Sequence, residues 1–422
     1  MSMRSAHSGV VAPSAAHAYL PNMVRAASIP ALPGKRFNVG DHRLHLLHDP
    51  DDRLQAVLML IDAATQSLSL SIYMFHADTS GTEVRNALVR AAERGVAVEL
   101  LIDSFGCSDV PDSFFRPVAQ AGGRYCYFSS RWRLSYLIRN HQKLLVIDDQ
   151  HALVGGFNIT DQYFGRRGDQ SWEDLGIVLS GPEAARIAAY ARELFELSED
   201  GGMRLSDLRR LILRWKPGSG QLRWLVGGPT THLSPWGLAL KRDLQTAQSI
   251  NIAAAYFSPT QSILRRIARV GRAGKVARLI LAGRTDNGAT IGAARILYGY
   301  LLKRDVRIAE YQPRLLHTKL LVIDNACYIG SANLDVRSLF INKEIMLRIE
   351  DAILAHYLRG LIDTMEAESE VQTAESHSAR INWISRLRWS LAYLLVNSVD
   401  YNIGRRIKLR LAEQLKQRRL KG

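Results

Sequence analysis

His-Gln-Lys-Leu-Leu-Val-Ile-Asp at residues 141–148 and His-Thr-Lys-Leu-Leu-Val-Ile-Asp at residues 317–324 are two copies of one octapeptide that differ only at the second position. The run Leu-Leu-Val-Ile reads as a short buried strand. Residues two apart on a strand share a face, so His141 falls beside Lys143 and His317 beside Lys319. A neutral imidazole attacks phosphorus, and an ammonium beside it neutralises phosphate oxygens. The candidate catalytic set is therefore His141, Lys143, Asp148, His317, Lys319 and Asp324. Within it Asp148 and Asp324 end their strands and read as more structural than catalytic.

A turn of small residues ending in Asn follows each copy: Gly155-Gly156-Phe157-Asn158 and Gly330-Ser331-Ala332-Asn333. Glycine lets backbone amides approach a phosphate, and an Asn amide adds a donor. Gly155, Asn158, Ser331 and Asn333 are the candidate phosphate-binding residues. Upstream, Gln66-Ser67-Leu68-Ser69-Leu70 echoes Gln248-Ser249-Ile250-Asn251-Ile252, and Phe75 echoes Phe257. Residues 68–75 read as a strand, 82–94 as a helix closed by Gly95, and 96–103 as a second strand; 263–270 and 276–281 repeat that helix and strand. The chain is a duplication, and strand–helix–strand order predicts a parallel-rich α/β sheet. A metal site is a poor reading, since the neighbour at strand spacing is Lys and no second His or Cys stands at ligand spacing.

The 422 residues, 47% hydrophobic, suit a folded protein larger than one ordinary domain. A formal charge of +15 and a pI near 9.9 imply a polyanionic partner, whether nucleic acid, anionic lipid or acidic substrate. The three cysteines, Cys107, Cys126 and Cys327, lack the number and spacing of a disulfide framework and suggest a reducing compartment. No stretch approaches the apolar length of a membrane span, and the start of the chain lacks the apolar core of a secretory signal. That start reads as a disordered tail, with a weak membrane tether or transit-like segment as the alternative.

The paired motifs resemble the HKD motifs of the phospholipase D superfamily, over roughly residues 38–350. Ser331-Ala332-Asn333-Leu334-Asp335-Val336-Arg337-Ser338, with Asn342 and Glu344 after it, resembles the bacterial cardiolipin synthase branch, as does Trp172-Glu173-Asp174-Leu175-Gly176. One departure is Gly156, where the family pattern has Ser; the missing hydroxyl speaks against a symmetric phosphate cradle. The resemblance implies a duplicated α/β/α sandwich whose two pseudo-two-fold related halves form one active site. One histidine would form a phosphatidyl-histidine and the other would act as acid and base. Analogy favours His141 as nucleophile, although the symmetry of the motifs does not decide. Asp174 and Glu344 fall where the family places acids that orient the histidines, with the acid beyond one motif serving the histidine of the other half. No metal or organic cofactor is implied.

These readings divide the chain into a tail (1–36), a first half (37–204), a basic amphipathic linker (205–222), a second half (223–352) and a basic helical C-terminal region (353–422). Arg131-Trp132-Arg133 with Tyr136 and Arg139, the surroundings of Trp215, and the tail from Arg380 interleave bases with aromatics. From Arg380 onward eleven Lys and Arg face two acids, Asp400 and Glu413. An interfacial helix on an anionic membrane fits that tail; a helix packed on the body and a nucleic-acid patch are the other readings. The expected activity is phosphatidyl transfer, from one phosphatidylglycerol to another, by a peripheral enzyme on the cytoplasmic face of the bacterial inner membrane. Its expected partners are anionic phospholipids and the membrane surface, with nucleic acid disfavoured and the oligomeric state left open. Hydrolysis by a phospholipase D, cleavage by a nuclease or phosphodiesterase of the same superfamily, and a lipid-binding scaffold without activity are the rival readings.

Overall fold

Apolar runs bounded by turns form two eight-stranded sheets in the computed structural model, which describes residues 31–128, 138–166, 168–199, 203–230, 233–285, 288–380 and 383–394. The first sheet contains β1 (Lys35–Val39), β2 (His42–Leu47), β3 (Ser67–Ile72), β4 (Ala97–Asp103), β5 (Arg124–Phe128), β6 (Leu144–Ile147), β7 (His151–Gly155) and β8 (Gly176–Ser180). The second contains β9 (Leu222–Val226), β10 (Ser249–Ala254), β12 (Val276–Ala282), β13 (Arg307–Tyr311), β14 (Lys319–Ile323), β15 (Ala326–Gly330), β17 (Ile345–Glu350) and β18 (Ser369–Gln372). Between them in sequence, β11 (Phe257–Ser258) and β16 (Leu334–Asp335) make a separate parallel pair.

The duplication is explicit in strand order. The first sheet runs β1-β2-β8-β7-β6-β3-β4-β5 and the second, from its matching edge, β9-β17-β15-β14-β10-β12-β13-β18. Seven strands correspond one for one, from β2 with β9 through to β5 with β13, and β1 and β18 are extra edges at opposite ends. Even the small β11–β16 pair has its counterpart, the single parallel bridge between Phe75 and Ile159.

The expectation of a parallel-rich sheet is corrected. Only β3–β4 and β4–β5, and likewise β10–β12 and β12–β13, pair in parallel; every other neighbour in the two sheets is antiparallel. The helix-connected strands obey the crossover rule, whereas β6–β7 and β14–β15 are joined by turns too short for anything but a hairpin.

Each sheet lies between two apolar layers. On one face the sheets share a core, in which Val146, Val154 and Ile177 cluster with Val322, Ile329 and Leu347, along with the helices Pro182–Glu199 and Ala352–Ala367. On the outer faces the first sheet packs the helices Pro50–Ala63 and Thr79–Glu93, and the second packs Pro235–Thr246, Gln261–Arg272 and Gly288–Leu302. The result is a pair of α/β/α halves joined through their inner layers.

Asp148 and Asp324 sit at φ of 50° and 51°, directly after β6 and β14. Aspartate tolerates this left-handed conformation better than most residues. Asp148 accepts bonds from the amides of Thr65, Gln66 and Ser67, and Asp324 from those of Gln248 and Ser249. Both are locks on the turns that enter β3 and β10.

The helix Trp383–Leu394 lies on the helix Gly288–Leu302. Trp389 is buried there and stacks on His377 at 5.7 Å with an interplanar angle of 11°. Trp215, for its part, meets the Tyr190 ring at 5.6 Å and donates to the Trp224 carbonyl. The reading of these two tryptophans as interface aromatics is therefore corrected: both are packing residues. Leu387 and Leu391 do face outward. Trp132, Tyr136 and the basic end of the chain lie outside the described residues, and no described helix is long and apolar enough to cross a membrane.

Candidate active site

The two histidines sit just ahead of β6 and β14, in segments that reach across to the other half. Asn140 bridges Lys343, with His141 N donating to Lys343 O at 2.9 Å and Lys343 N to Arg139 O at 2.8 Å. The same pattern recurs at Leu316 and Glu173, with His317 N donating to Glu173 O at 2.7 Å and Glu173 N to Leu315 O at 2.8 Å. The residue after each bridge partner is an acid. Backbone pairing between the halves thus delivers Glu344 to His141 and Asp174 to His317.

The side chains complete two dyads. His141 Nδ1 lies 3.1 Å from the Glu344 carboxylate, and His317 Nδ1 lies 2.6 Å from Asp174 Oδ2. With Nδ1 fixed on an acid, each imidazole is left with Nε2 for chemistry. Glu344 also accepts from Ser331 Oγ at 2.5 Å and Ser338 Oγ at 2.8 Å. Lys143 donates to the His141 carbonyl at 2.9 Å, and Lys319 donates to the His317 carbonyl. Aromatic rings wall both dyads: Tyr73 is 4.9 Å from the His141 ring, and Tyr163 and Trp172 are 5.2 and 5.5 Å from that of His317.

Electrostatics tie the two dyads into one cluster. Burial lowers the His141 pKa; Glu344 opposes that, while Lys143 and, from the other half, Lys319 reinforce it. His317 is lowered by burial and by Lys319, with Lys143 adding to the effect and Asp174 opposing it. Burial alone would raise Asp174, but His317, Lys319 and Arg53 outweigh it and hold the carboxyl below its ordinary value. Lys143 is pushed down to about 7 by burial, against the pull of Glu344. The site favours neutral imidazoles backed by carboxylates, with buried amines at hand for a phosphate.

Not every candidate residue faces this cluster. Asp148 and Asp324 lie at the far ends of β6 and β14, roughly 23 Å along the chain from the histidines at strand rise, and are not brought into the site. Ser331 is fully buried and its hydroxyl is bonded to Glu344, so it faces an acid rather than an open cradle. Gly155 pairs with Gly176 inside the sheet, where a Cβ would come within 2.8 Å of the Leu175 carbonyl; its glycine answers strand packing. Asn158 sits beside the His317 aromatics, its amide donating to Tyr163 Oη at 3.2 Å and its oxygen accepting from Met74 N. Asn333 is nearly buried, and its Oδ1 has no hydrogen-bond partner among the described residues.

Sequence reasoning missed the scaffold around the dyads. Arg53, fully buried in the helix Pro50–Ala63, donates to the carbonyls of His48, Tyr163, Trp172 and Asp174. Glu173 is also buried, with Arg314 at 2.8 Å and His48 Nε2 at 2.5 Å. Gln142 and Lys343 point away from the histidines: Gln142 bonds Tyr190 Oη at 2.8 Å, and Lys343 Nζ lies 4.7 Å from the Tyr190 ring. An Arg one turn into an apolar helix was the one available signal for Arg53.

Comparison with known proteins shows the family. The family described as "Cardiolipin synthase, PLD-like domain" matches residues 57–196 and 240–365. Cardiolipin synthase B of Salmonella typhimurium is 31% identical over 380 residues, covering 86% of this chain and 90% of its own. Cardiolipin synthase A of Pseudomonas fluorescens is 28% identical over 380 residues, covering 87% and 78%. Among solved structures, phosphatidylserine synthase of Haemophilus influenzae superposes with a TM-score of 0.68 at 14% identity, covering 90% of this chain and 97% of that one, a likeness of fold.

Proposed function

The chain belongs to the cardiolipin synthase, phospholipase D-like family, and from that premise we propose that it moves a phosphatidyl group from one phosphatidylglycerol to another, yielding cardiolipin and glycerol. The observation that carries this reading is the pair of His–carboxylate dyads closed across the two halves. Nε2 of one histidine, His141 by analogy, attacks phosphorus; the phosphorus–oxygen bond to glycerol breaks, and the other imidazolium gives that oxygen its proton. The same imidazole then takes a proton from the hydroxyl of the second phosphatidylglycerol. That oxygen attacks phosphorus, and the phosphorus–nitrogen bond breaks, releasing cardiolipin and free histidine. Asp174 and Glu344 keep each ring in the tautomer that leaves Nε2 available and stabilise whichever imidazolium forms. Lys143 and Lys319, with Asn158 and Asn333, supply charge and donors for the phosphate oxygens. Asp148 and Asp324 serve indirectly, by fixing the sheets.

The enzyme works at an anionic membrane surface, on its cytoplasmic face, held peripherally. The net charge of +15, the outward Leu387 and Leu391, and the basic sequence that follows them support this. The test offers purified protein phosphatidylglycerol vesicles and, in parallel, single-stranded and duplex DNA. Cardiolipin with glycerol is the expected product, and phosphatidic acid a minor one where water intercepts the intermediate. DNA cleavage without any lipid product overturns the substrate assignment.

A further inference from the structure

The two halves hold their acids by different means, and the difference is concentrated at one pair of matching positions. Gly156 N bonds Leu175 O, as Ser331 N bonds Ile345 O, so 156 matches 331 and Asp174 matches Glu344. At 331 stands a serine whose hydroxyl binds Glu344; at 156 there is no side chain at all. The reason is spatial. A Cβ built on Gly156 would lie 2.3 Å from Asp174 Oδ1, 2.7 Å from Oδ2 and 2.9 Å from Cγ. The carboxylate of the shorter acid occupies the volume that a side chain at 156 would need. It is fully buried and bonded to His317 and to Leu175 N, so it moves aside only by leaving the histidine.

We propose that Gly156 and Asp174 are a matched positioning pair, and that Ser331 and Ser338 are the positioning hydroxyls demanded by the longer Glu344. Each half therefore has its own combination of acid length and facing residue, and the combinations are not interchangeable one residue at a time. Gly156 is then no lost phosphate donor but the space in which the acid of His317 sits. In the other half the extra methylene of Glu344 carries its carboxylate clear of position 331, where two hydroxyls fix it. The inference rests on the reading that the dyads take part in catalysis.

The test is a double-mutant cycle read by kinetics and by nitrogen-15 NMR of the His317 imidazole. Gly156→Ser and Asp174→Glu should each lower kcat about a hundredfold, with KM little changed, because an unoriented base keeps its substrate contacts. The double variant brings the second half's acid length and facing serine into the first, without a counterpart of Ser338. It should recover at least about tenfold over the product of the single effects, which is coupling well beyond that of independent sites. The NMR signature of a hydrogen-bonded Nδ1–H on His317 should disappear in Gly156→Ser and return in the double variant. Ser331→Gly, which adds no atom and so has nothing to clash with, should cost about tenfold in kcat through loss of a bond to a charged group. Full activity in Gly156→Ser, strict additivity in the cycle, or an unchanged rate in Ser331→Gly would each overturn the proposal. The NMR arm needs no substrate, so a wild-type protein inactive on phosphatidylglycerol would refute the assigned reaction while the His317 spectra still decide the pairing.

Discussion

Glu173 and Lys343 occupy matching places, each one residue before an orienting acid and each bridging the opposite histidine segment, yet they carry opposite charges and are treated differently. Glu173 is buried with Arg314 at ion-pair distance and the His48 ring beside it, and Arg53 is bonded to the carbonyls on both sides of it. Lys343 is equally buried, but its Nζ has no hydrogen-bond partner among the described residues; the face of Tyr190 lies 4.7 Å from it. The contrast extends outward. Where the first half places Arg53, the second uses Trp236, whose indole donates to the Ser338 carbonyl at 3.0 Å. The duplicated backbone pairing was kept, and the packing behind it was rebuilt, with charge in one half and largely neutral groups in the other. The dyads depend on the seam; the seam tolerates more than one support.

The largest expected effect is common to both halves. His141→Ala and His317→Ala should each lower turnover by at least about a hundredfold, and the double variant should be little worse than either single, because the two act as one unit. Vesicle assays of all three check this, and additive losses would mean the dyads work independently. Next, Arg53→Met should destabilise the fold by about 3–5 kcal/mol, since it strips a buried charge from its partners, and Trp236→Phe by about 1–3 kcal/mol, since it breaks one neutral bond. Urea unfolding measures both, and equal losses would erase the contrast between charged and neutral support.

Lys343→Met should raise stability in a pH-dependent way. Burial pushes this amine down to about 7, whereas in the unfolded chain it titrates near 10.5. Between those values the unfolded chain binds the extra proton, so the wild-type protein gains stability as pH rises. The gain from methionine should therefore be largest below pH 7 and fade by about pH 10.5. Melting curves across that range check it, and a pH-independent effect would show that the amine finds a counter-charge. The smallest effect is a shift of profile. Burial holds His141 below its usual 6.5 and Glu344 pulls it upward, so Glu344→Gln should move the acid limb of kcat/KM to lower pH, beside its loss in rate. An upward move would place Glu344 on the wrong histidine.

Much of the candidate site was legible because the duplication repeats it: two His-x-Lys pairs, each with a strand behind it, each followed at nearly equal spacing by a glycine turn and an Asn. The crossed pairing of acids with histidines came from family resemblance, since no local pattern says which half a side chain meets. Sheet direction was misread, because helix-linked strands advertise parallel pairing while short hairpin turns are quieter in sequence. Arg53 was missed for a related reason: its partners are mostly backbone carbonyls more than a hundred residues away, which have no residue signature, and the side-chain partners of Glu173, Arg314 and His48, are as distant in sequence. Trp389 looked like an interface residue because an aromatic among bases has the same composition whether its ring meets lipid or His377.

The crossed bridges between Asn140 and Lys343, and between Glu173 and Leu316, also set a schedule. A ribosome that has delivered the first half has made His141 without its acid and Asp174 without its histidine. His317 emerges later, and Glu344 later still, so the Asp174–His317 dyad can close only once residue 317 has been made and the His141–Glu344 dyad only once residue 344 has. The nascent chain thus holds an incomplete centre, and the crossed contacts arrive only with the docking of the two halves. The seam is a safety catch released by the completion of folding itself.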